Sequence, residues 1–208
     1  MGGAVNVREI RAVLFDMDGT LVDSDAVVDR SWSTWGTEYG VPVAEVLAVA
    51  HGNPAAATIA QLRPDLSAAE RVAANARVLQ LEVDDVSDVV PTAGALELIA
   101  TLERIGVPWA IYTSAPAQLA KVRLDAAGIA PSVLVTIDDV SHGKPDPEGY
   151  LRAAELLSVP IADCLVVEDT PVGLAAGKAS GATTAGVKGI PADIRLPDLH
   201  RLVQLFTE

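Results

Sequence analysis

Five short runs along the chain carry apolar or β-branched residues without polar alternation: Ala12–Phe15, Val107–Tyr112, Val133–Ile137, Cys164–Val167 and Thr183–Val187. A strand solvated on one face alternates every second residue, so runs of this kind predict strands buried on both faces. Helix-length segments rich in Ala and Leu lie between and around them, at Ala93–Ile105, Pro116–Ala127, Pro147–Leu157 and Pro171–Ser180. Gly106, Gly128 and Gly181 stand just past three of these segments, while Pro147 and Pro171 occupy first-turn positions after Asp146 and Thr170. Those are ordinary stop and start signals for helices. Strand and helix in alternation predict an α/β fold, with ligands bound by the loops at the carboxyl ends of parallel strands.

The rhythm breaks between Asp25 and Asp88, where only helical patterns occur: Val27–Tyr39, Val43–Ala50, Pro54–Leu62 and Ser67–Val83. Ser67 and Glu70 have the spacing of a capping box for the last of these. The first strand precedes this stretch, so an all-α domain simply fused to an α/β domain would leave that strand isolated. The expected architecture is therefore a Rossmann-like parallel sheet with helices on both faces, built from residues 1–22 and 91–208, with an all-helical cap inserted at residues 23–90. Trp32, Trp35 and Tyr39, at helical spacing, read as cap core in preference to a sugar-stacking platform.

Composition narrows the partners. Half of the 208 residues are hydrophobic and 21% are charged, the balance of a packed globule. Asp and Glu number 28 against 15 Lys and Arg, and the resulting charge of −13 repels nucleic acid and anionic membranes at long range. Neither is expected as a partner. No run approaches the roughly 18 apolar residues needed to span a bilayer. Arg8, Glu9 and Arg11 interrupt the first apolar stretch, so no signal peptide is expected. A single Cys164 leaves no disulfide framework and no Cys-based zinc site. A cytoplasmic location is the default expectation, with the chain a monomer.

Candidate chemistry sits where the strands end. The first runs into Asp16-Met17-Asp18-Gly19-Thr20, two carboxylates so close that a cation or hydrogen bonds must relieve them. A calcium loop does not fit, because its glycine position holds Leu21 and its twelfth position Val27. The second strand ends in Thr113-Ser114, the fourth in Glu168-Asp169-Thr170, and the loop His142-Gly143-Lys144-Pro145 holds an ammonium between prolines and a glycine. Each segment alone is also what an ordinary strand-to-helix turn contains, and Asp169 or Thr170 could merely cap the helix that follows. Together, two acidic pairs, a hydroxyl and a lysine at one sheet edge form a metal-assisted phosphate site better than they form four coincidences.

In this order, Asp16-x-Asp18-Gly19-Thr20, Thr113, Lys144-Pro145 and Glu168-Asp169 resemble the four motifs of the haloacid dehalogenase superfamily, over about Arg11 to Gly189. The helical insertion after the first motif resembles that superfamily's C1 cap. His51-Gly52 with Ile59, the stretch Gly143–Leu151, and Glu168–Gly173 look most like its sugar-phosphate and glycerol-phosphate phosphatases, close to the β-phosphoglucomutases. A dehalogenase lacks the second aspartate, so Asp18 and Thr20 favour phosphoryl chemistry.

The resemblance implies that Asp16 attacks phosphorus to give an aspartyl phosphate while Asp18 protonates the leaving alcohol and then activates water. It implies that Thr113 and the Ser114 amide hold phosphate oxygens, that Lys144 offsets their charge, and that Mg²⁺ is held by Asp16, Asp169, Glu168 and the Asp18 backbone carbonyl. The substrate would be a small phosphorylated metabolite, a sugar or polyol monoester. His51, Gly52 and Asn53 are candidate substrate contacts, Asn53 standing where relatives often carry a larger or basic side chain; His51 could equally cap a helix. His142 is expected to be exposed and His200 to lie on a C-terminal helix without a partner. Two alternatives remain: a phosphomutase using the same groups, and a phospho-acceptor signalling module, which would place both acidic clusters before the lysine.

Overall fold

The computed structural model describes residues 7–51 and 54–208. Among them, six parallel strands form one sheet: β1 (Ala12–Phe15), β4 (Trp109–Tyr112), β5 (Leu134–Val135), β6 (Cys164–Glu168), β7 (Thr183–Gly186) and β8 (Ile194–Arg195), in the order β5-β4-β1-β6-β7-β8. β2 (Val22–Asp23) and β3 (Val90–Pro91) pair antiparallel in a separate two-stranded ribbon. The order reverses at β1, which has β4 on one side and β6 on the other, and this reversal opens a crevice at the carboxyl ends of the central strands.

The unbroken apolar runs are explained by what covers each face. Val13, Phe15, Ile111, Leu165 and Val167 pack on Leu98 and Leu102 of α5 (Ala95–Ile105), Leu119 and Leu124 of α6 (Ala117–Ala127) and Leu202 of α9 (His200–Thr207). Ala12, Leu14, Ala110, Tyr112 and Val166 point the other way, onto Tyr150 and Ala153 of α7 (Glu148–Leu156) and Ala176 of α8 (Pro171–Ser180). Every position of β1 and β4 is consequently buried. Gly106, Gly128 and Gly181 end α5, α6 and α8 in left-handed conformation, as the stop signals predict.

Four helices follow β1: α1 (Asp25–Tyr39), α2 (Val43–Ala50), α3 (Ala55–Leu62) and α4 (Ala68–Asp84). They enclose a core of their own around Trp32, Trp35, Val46, Ile59 and Val78. Trp35 donates its indole N–H to the Ala74 carbonyl at 3.1 Å and stacks on Tyr39, so both are packing residues. The Ser67–Glu70 capping box forms in full. This helical unit joins the sheet layer through the β2–β3 ribbon, where Thr92 donates to the Thr20 carbonyl at 2.6 Å.

Several boundaries shift for identifiable reasons. The third run yields only Leu134–Val135, because Thr136 and Asp139 cap each other in a 3₁₀ turn that takes Ile137 out of the sheet. Pro147 is the N-cap of α7 rather than its first residue; the Asp146 carboxylate accepts the Glu148 N–H at 2.9 Å. His200 has acidic neighbours after all, Glu97 at 3.6 Å and Asp198 at 3.5 Å. His142 is exposed, as expected. No helix among the described residues is long and apolar enough to cross a membrane.

The end of α4 is tied back to α1 by Arg30, which reaches Asp85 at 2.9 Å and Asp88 at 2.5 Å. Hydrogen bonds from Ser87 and then Arg30 hold the Asp85 carboxyl down at about 2. A carboxyl depressed in the folded state stabilises it above the unfolded chain's pKa and loses that contribution as the pH falls toward the folded value. The difference in urea-unfolding stability between the wild type and Asp85→Asn should therefore narrow from about pH 5 to about pH 3. A gap that stays constant over that range would show that the bond network does not act through this carboxylate.

Candidate active site

The backbone leaves β1 in a tight loop: the Leu21 and Val22 amides both donate to the Met17 carbonyl at 2.9 Å, and the Gly19 amide donates to Val22 at 2.7 Å. Gly19 has φ +80°, and a Cβ there would lie 2.0 Å from Asp169 Oδ2, so glycine alone lets the loop press against the end of β6. This closure carries Asp16 and Asp169 into one crevice.

Lys144 sits at its centre. Its Nζ donates to Asp16 Oδ1 at 2.5 Å and Glu168 Oε1 at 2.6 Å, across sequence separations of 128 and 24 residues. The rings of Tyr112 and Tyr150 flank the ammonium at 5.0 and 5.4 Å from their centroids, within cation–π reach. Burial by itself would lower the lysine's pKa; the two carboxylates outweigh it and raise it, so the group stays charged. Asp16 is pushed well upward, first by burial, with Glu168 and Asp169 adding repulsion and Lys144 opposing.

Glu168 is fully buried and saturated with donors: Lys144, Tyr150 Oη at 2.7 Å, Thr170 Oγ1 at 3.0 Å and the Asp169 and Thr170 amides. Thr170 also caps α8 by accepting from the Gly173 amide at 3.1 Å. A Cβ on Gly173 would come within 1.7 Å of Glu168 Oε1, so this glycine makes room for the carboxylate. Asp169 pairs with Lys188 at 3.0 Å through Oδ2, while its Oδ1 is buried with no hydrogen-bond partner. Burial raises the Asp169 pKa, with Lys188 opposing. Asp16, Glu168 and Asp169 each place one carboxylate oxygen within 4.8 Å of the others.

Thr113 is buried at the end of β4; its Oγ1 accepts from the Ala115 amide at 3.0 Å, leaving its O–H free to donate. Ser114 lines the same crevice. The Asp18 side chain lies outside the three-carboxylate cluster and is held by Ser24 Oγ at 2.8 Å and by Arg123 at 3.0 Å. Above the crevice is a cavity of about 770 Å³, walled on one side by Asp16, Thr113 and Lys144 and on the other by Trp32, His51 and Leu79 of the helical unit. Trp32 thus serves both the helical core and the cavity wall. His51 follows α2 at its C-cap, lines the cavity and bonds Asp29 at 2.7 Å. Gly52 and Asn53 lie outside the described residues.

Two cations of the site have no counterpart in the expected residues. Arg123 comes from α6, only 4% exposed, and stands between Asp18 and Glu82 of α4. It follows Leu119 by four residues on the buried stripe of its helix, and a charge on a core stripe is a signal readable from sequence. Lys188 lies just past β7, where the same strand-end rule that finds Lys144's neighbours would have found it.

A family model described as haloacid dehalogenase-like hydrolase matches residues 10–181. Hexitol phosphatase A of Escherichia coli is 39% identical over 201 residues, 94% of this chain and 93% of that protein. Validoxylamine A 7'-phosphate phosphatase of Streptomyces hygroscopicus subsp. limoneus is 36% identical over 206 residues, covering 91% and 94%. The crystal structure of a hydrolase from Pseudomonas syringae superposes with a TM-score of 0.82 at 26% identity, over 94% of this chain and 96% of that one. Sequence and fold agree over nearly the whole length, and the chain belongs to the haloacid dehalogenase-like hydrolases.

Proposed function

We propose that this chain hydrolyses small sugar or polyol phosphate monoesters through an aspartyl phosphate on Asp16, with Mg²⁺ as cofactor. Its class, a phosphoric monoester hydrolase, follows from the family and from its phosphatase relatives. The observation that carries the finer reading is the meeting of Asp16, Lys144, Glu168 and Asp169 from three distant segments.

In the first step a carboxylate oxygen of Asp16 bonds to phosphorus as the P–O bond to the alcohol breaks, and Asp18 gives the departing alkoxide its proton. In the second, Asp18 takes a proton from water, whose oxygen bonds to phosphorus; the acyl–phosphate P–O bond breaks, freeing phosphate and the Asp16 carboxylate. Thr113 Oγ1 and the Ser114 amide hold phosphate oxygens at the end of β4. Lys144 supplies positive charge beside Asp16, and Glu168 with Tyr150 fixes where that charge stands. The helical unit α1–α4 acts as a cap, excluding water and carrying the contacts that choose the alcohol, His51 among them.

The residues fit a divalent cation. Three carboxylates meet two ammonium groups, Lys144 and Lys188, which leaves one negative charge uncompensated, and the orphaned, buried Asp169 Oδ1 is a hard oxygen ligand awaiting a partner. Asp16, Asp169 and the Asp18 backbone carbonyl would hold Mg²⁺, with Glu168, already saturated by donors, a backing anion. Bound there, the ion would neutralise phosphoryl oxygens during transfer.

Phosphate release should be measured from sugar, polyol, glycolate and nucleotide monoesters, with Mg²⁺ and after chelation. Release confined to the Mg²⁺ arm and greatest for sugar or polyol esters is expected. Equal release after chelation would remove the metal from the reading, and isomerised substrate without free phosphate would replace the hydrolase by a mutase.

A further inference from the structure

We propose that Lys188 is an exchangeable counter-ion of Asp169: its ammonium competes with the divalent cation for that carboxylate, and metal binding displaces it. The inference rests on the metal site of the phosphatase reading and goes beyond it to what sets how tightly that site fills.

The two ammonium groups at the carboxylate cluster are held in opposite ways. Lys144 is locked in: its side chain is 6% exposed, two carboxylates accept from it and two aromatic rings flank it. The Lys188 side chain is 50% exposed, and among the described residues its one ion-pair partner is Asp169, at 3.0 Å. A long stem with its head half in water gives up a single contact readily, whereas freeing Lys144 would strand two buried anions.

The backbone aims Lys188 at this place. Its φ is +54°, a left-handed conformation that disfavours residues with a large side chain, and Gly189 follows at +76°. The turn is fixed on both sides, the Val187 amide donating to the Glu168 carbonyl at 2.9 Å and the Gly189 amide to the Leu196 carbonyl at 3.1 Å. Glycine or asparagine would fit such a position with less strain, so strain kept at a lysine points to a use for its head group. That head group abuts the loop after β1: a Cβ on Gly19 would lie 2.9 Å from Nζ as well as 2.0 Å from Asp169 Oδ2. The ammonium stands where Asp169 meets the loop that carries the Asp18 carbonyl, the third oxygen proposed for the metal.

Charge decides between the two cations. Asp16, Glu168 and Asp169 against Lys144 leave two negative charges, which one divalent ion balances by itself. With Lys188 still in place the cluster would carry a positive charge in excess, and two cations on one carboxylate repel. Burial alone would lower the Lys188 pKa; Asp169 first, then Asp25 and Asp23, outweigh it and hold the group charged. Those last two carboxylates, exposed at the entry to α1, are the partners left to the ammonium once a metal takes Asp169.

The test is Mn²⁺ binding to the chelator-treated chain, followed by electron paramagnetic resonance of the free ion and counting the binding that Asp169→Ala removes. Lys188→Met keeps the stem and removes the charge; Lys188→Arg keeps the charge. The Kd should fall on the order of tenfold in Lys188→Met and stay within about threefold of wild type in Lys188→Arg. An unchanged or weaker affinity in Lys188→Met overturns the proposal, weaker binding being the mark of a lysine that only orients Asp169. A crystal structure of the wild type with Mn²⁺ needs no variant: the ammonium should lie more than about 4 Å from both Asp169 carboxylate oxygens, and a pair still within that distance beside the bound metal contradicts exchange. If the wild type binds no Mn²⁺ through Asp169, the metal reading falls and this inference falls with it; equal binding by the wild type and Lys188→Met defeats the inference alone.

Discussion

Asp16→Asn should lower phosphate release on the order of 10⁴-fold or more while leaving the fold in place. The substitution keeps the shape of the side chain at the end of β1, and the amide oxygen can still accept from Lys144. What disappears is the anion proposed as the nucleophile. It also removes one of three mutually repelling carboxylates whose burial and proximity push Asp16 upward, so thermal stability should hold or rise. Loss of activity with retained or higher Tm is the expected pair of readings from a phosphate-release assay and a melting curve. Wild-type turnover would take the nucleophile role away from Asp16, and loss of folding would show that its charge is structural.

Lys144→Met should cost both activity and stability. Methionine fills much of the space of the lysine stem between Tyr112 and Tyr150, so the change isolates the ammonium. Without it Asp16 and Glu168 remain buried without their shared cation, and breaking a buried pair of this kind costs about 3–5 kcal/mol. The sign of the pH dependence follows. Lys144 is the cation that holds Asp16 down, so in its absence the carboxyl pKa rises further above the unfolded value. A raised carboxyl destabilises the folded state when ionised and is relieved when protonated, so the variant's deficit should shrink as the pH falls from about 7 to about 5. Urea unfolding at several pH values measures this. A deficit under about 1 kcal/mol, or one that grows on acidification, would mean the ammonium is not the counter-ion of these carboxylates.

The strands were legible because burial on both faces writes an unbroken apolar run, and the helices α1–α4 because Ser67–Glu70 and the Trp32–Trp35–Tyr39 spacing mark their ends and inner faces. β2, β3 and β8, two residues each, carry no periodicity and were invisible. The ends of β1, β4 and β6 brought Asp16, Thr113, Glu168 and Asp169 into view, since a parallel sheet gathers its carboxyl ends. The partners of those residues were harder to see. That Tyr150 and Lys144 both serve Glu168, or that Asp18 turns away to Ser24 and Arg123, depends on side-chain directions fixed only by packing. Arg123 could have been noticed as a charge on a buried stripe, but its link to Glu82 crosses from the sheet layer to the helical unit. No sequence pattern measures that distance.

The most direct measurement is a crystal structure of the chain with Mg²⁺ and beryllium trifluoride, a mimic of a phosphoryl group on a carboxylate. Beryllium bonded to an Asp16 carboxylate oxygen, with fluorines facing Lys144 and Thr113, is the result expected. Beryllium bonded to Asp18 or any other carboxylate, with Asp16 still paired to Lys144, would contradict the account.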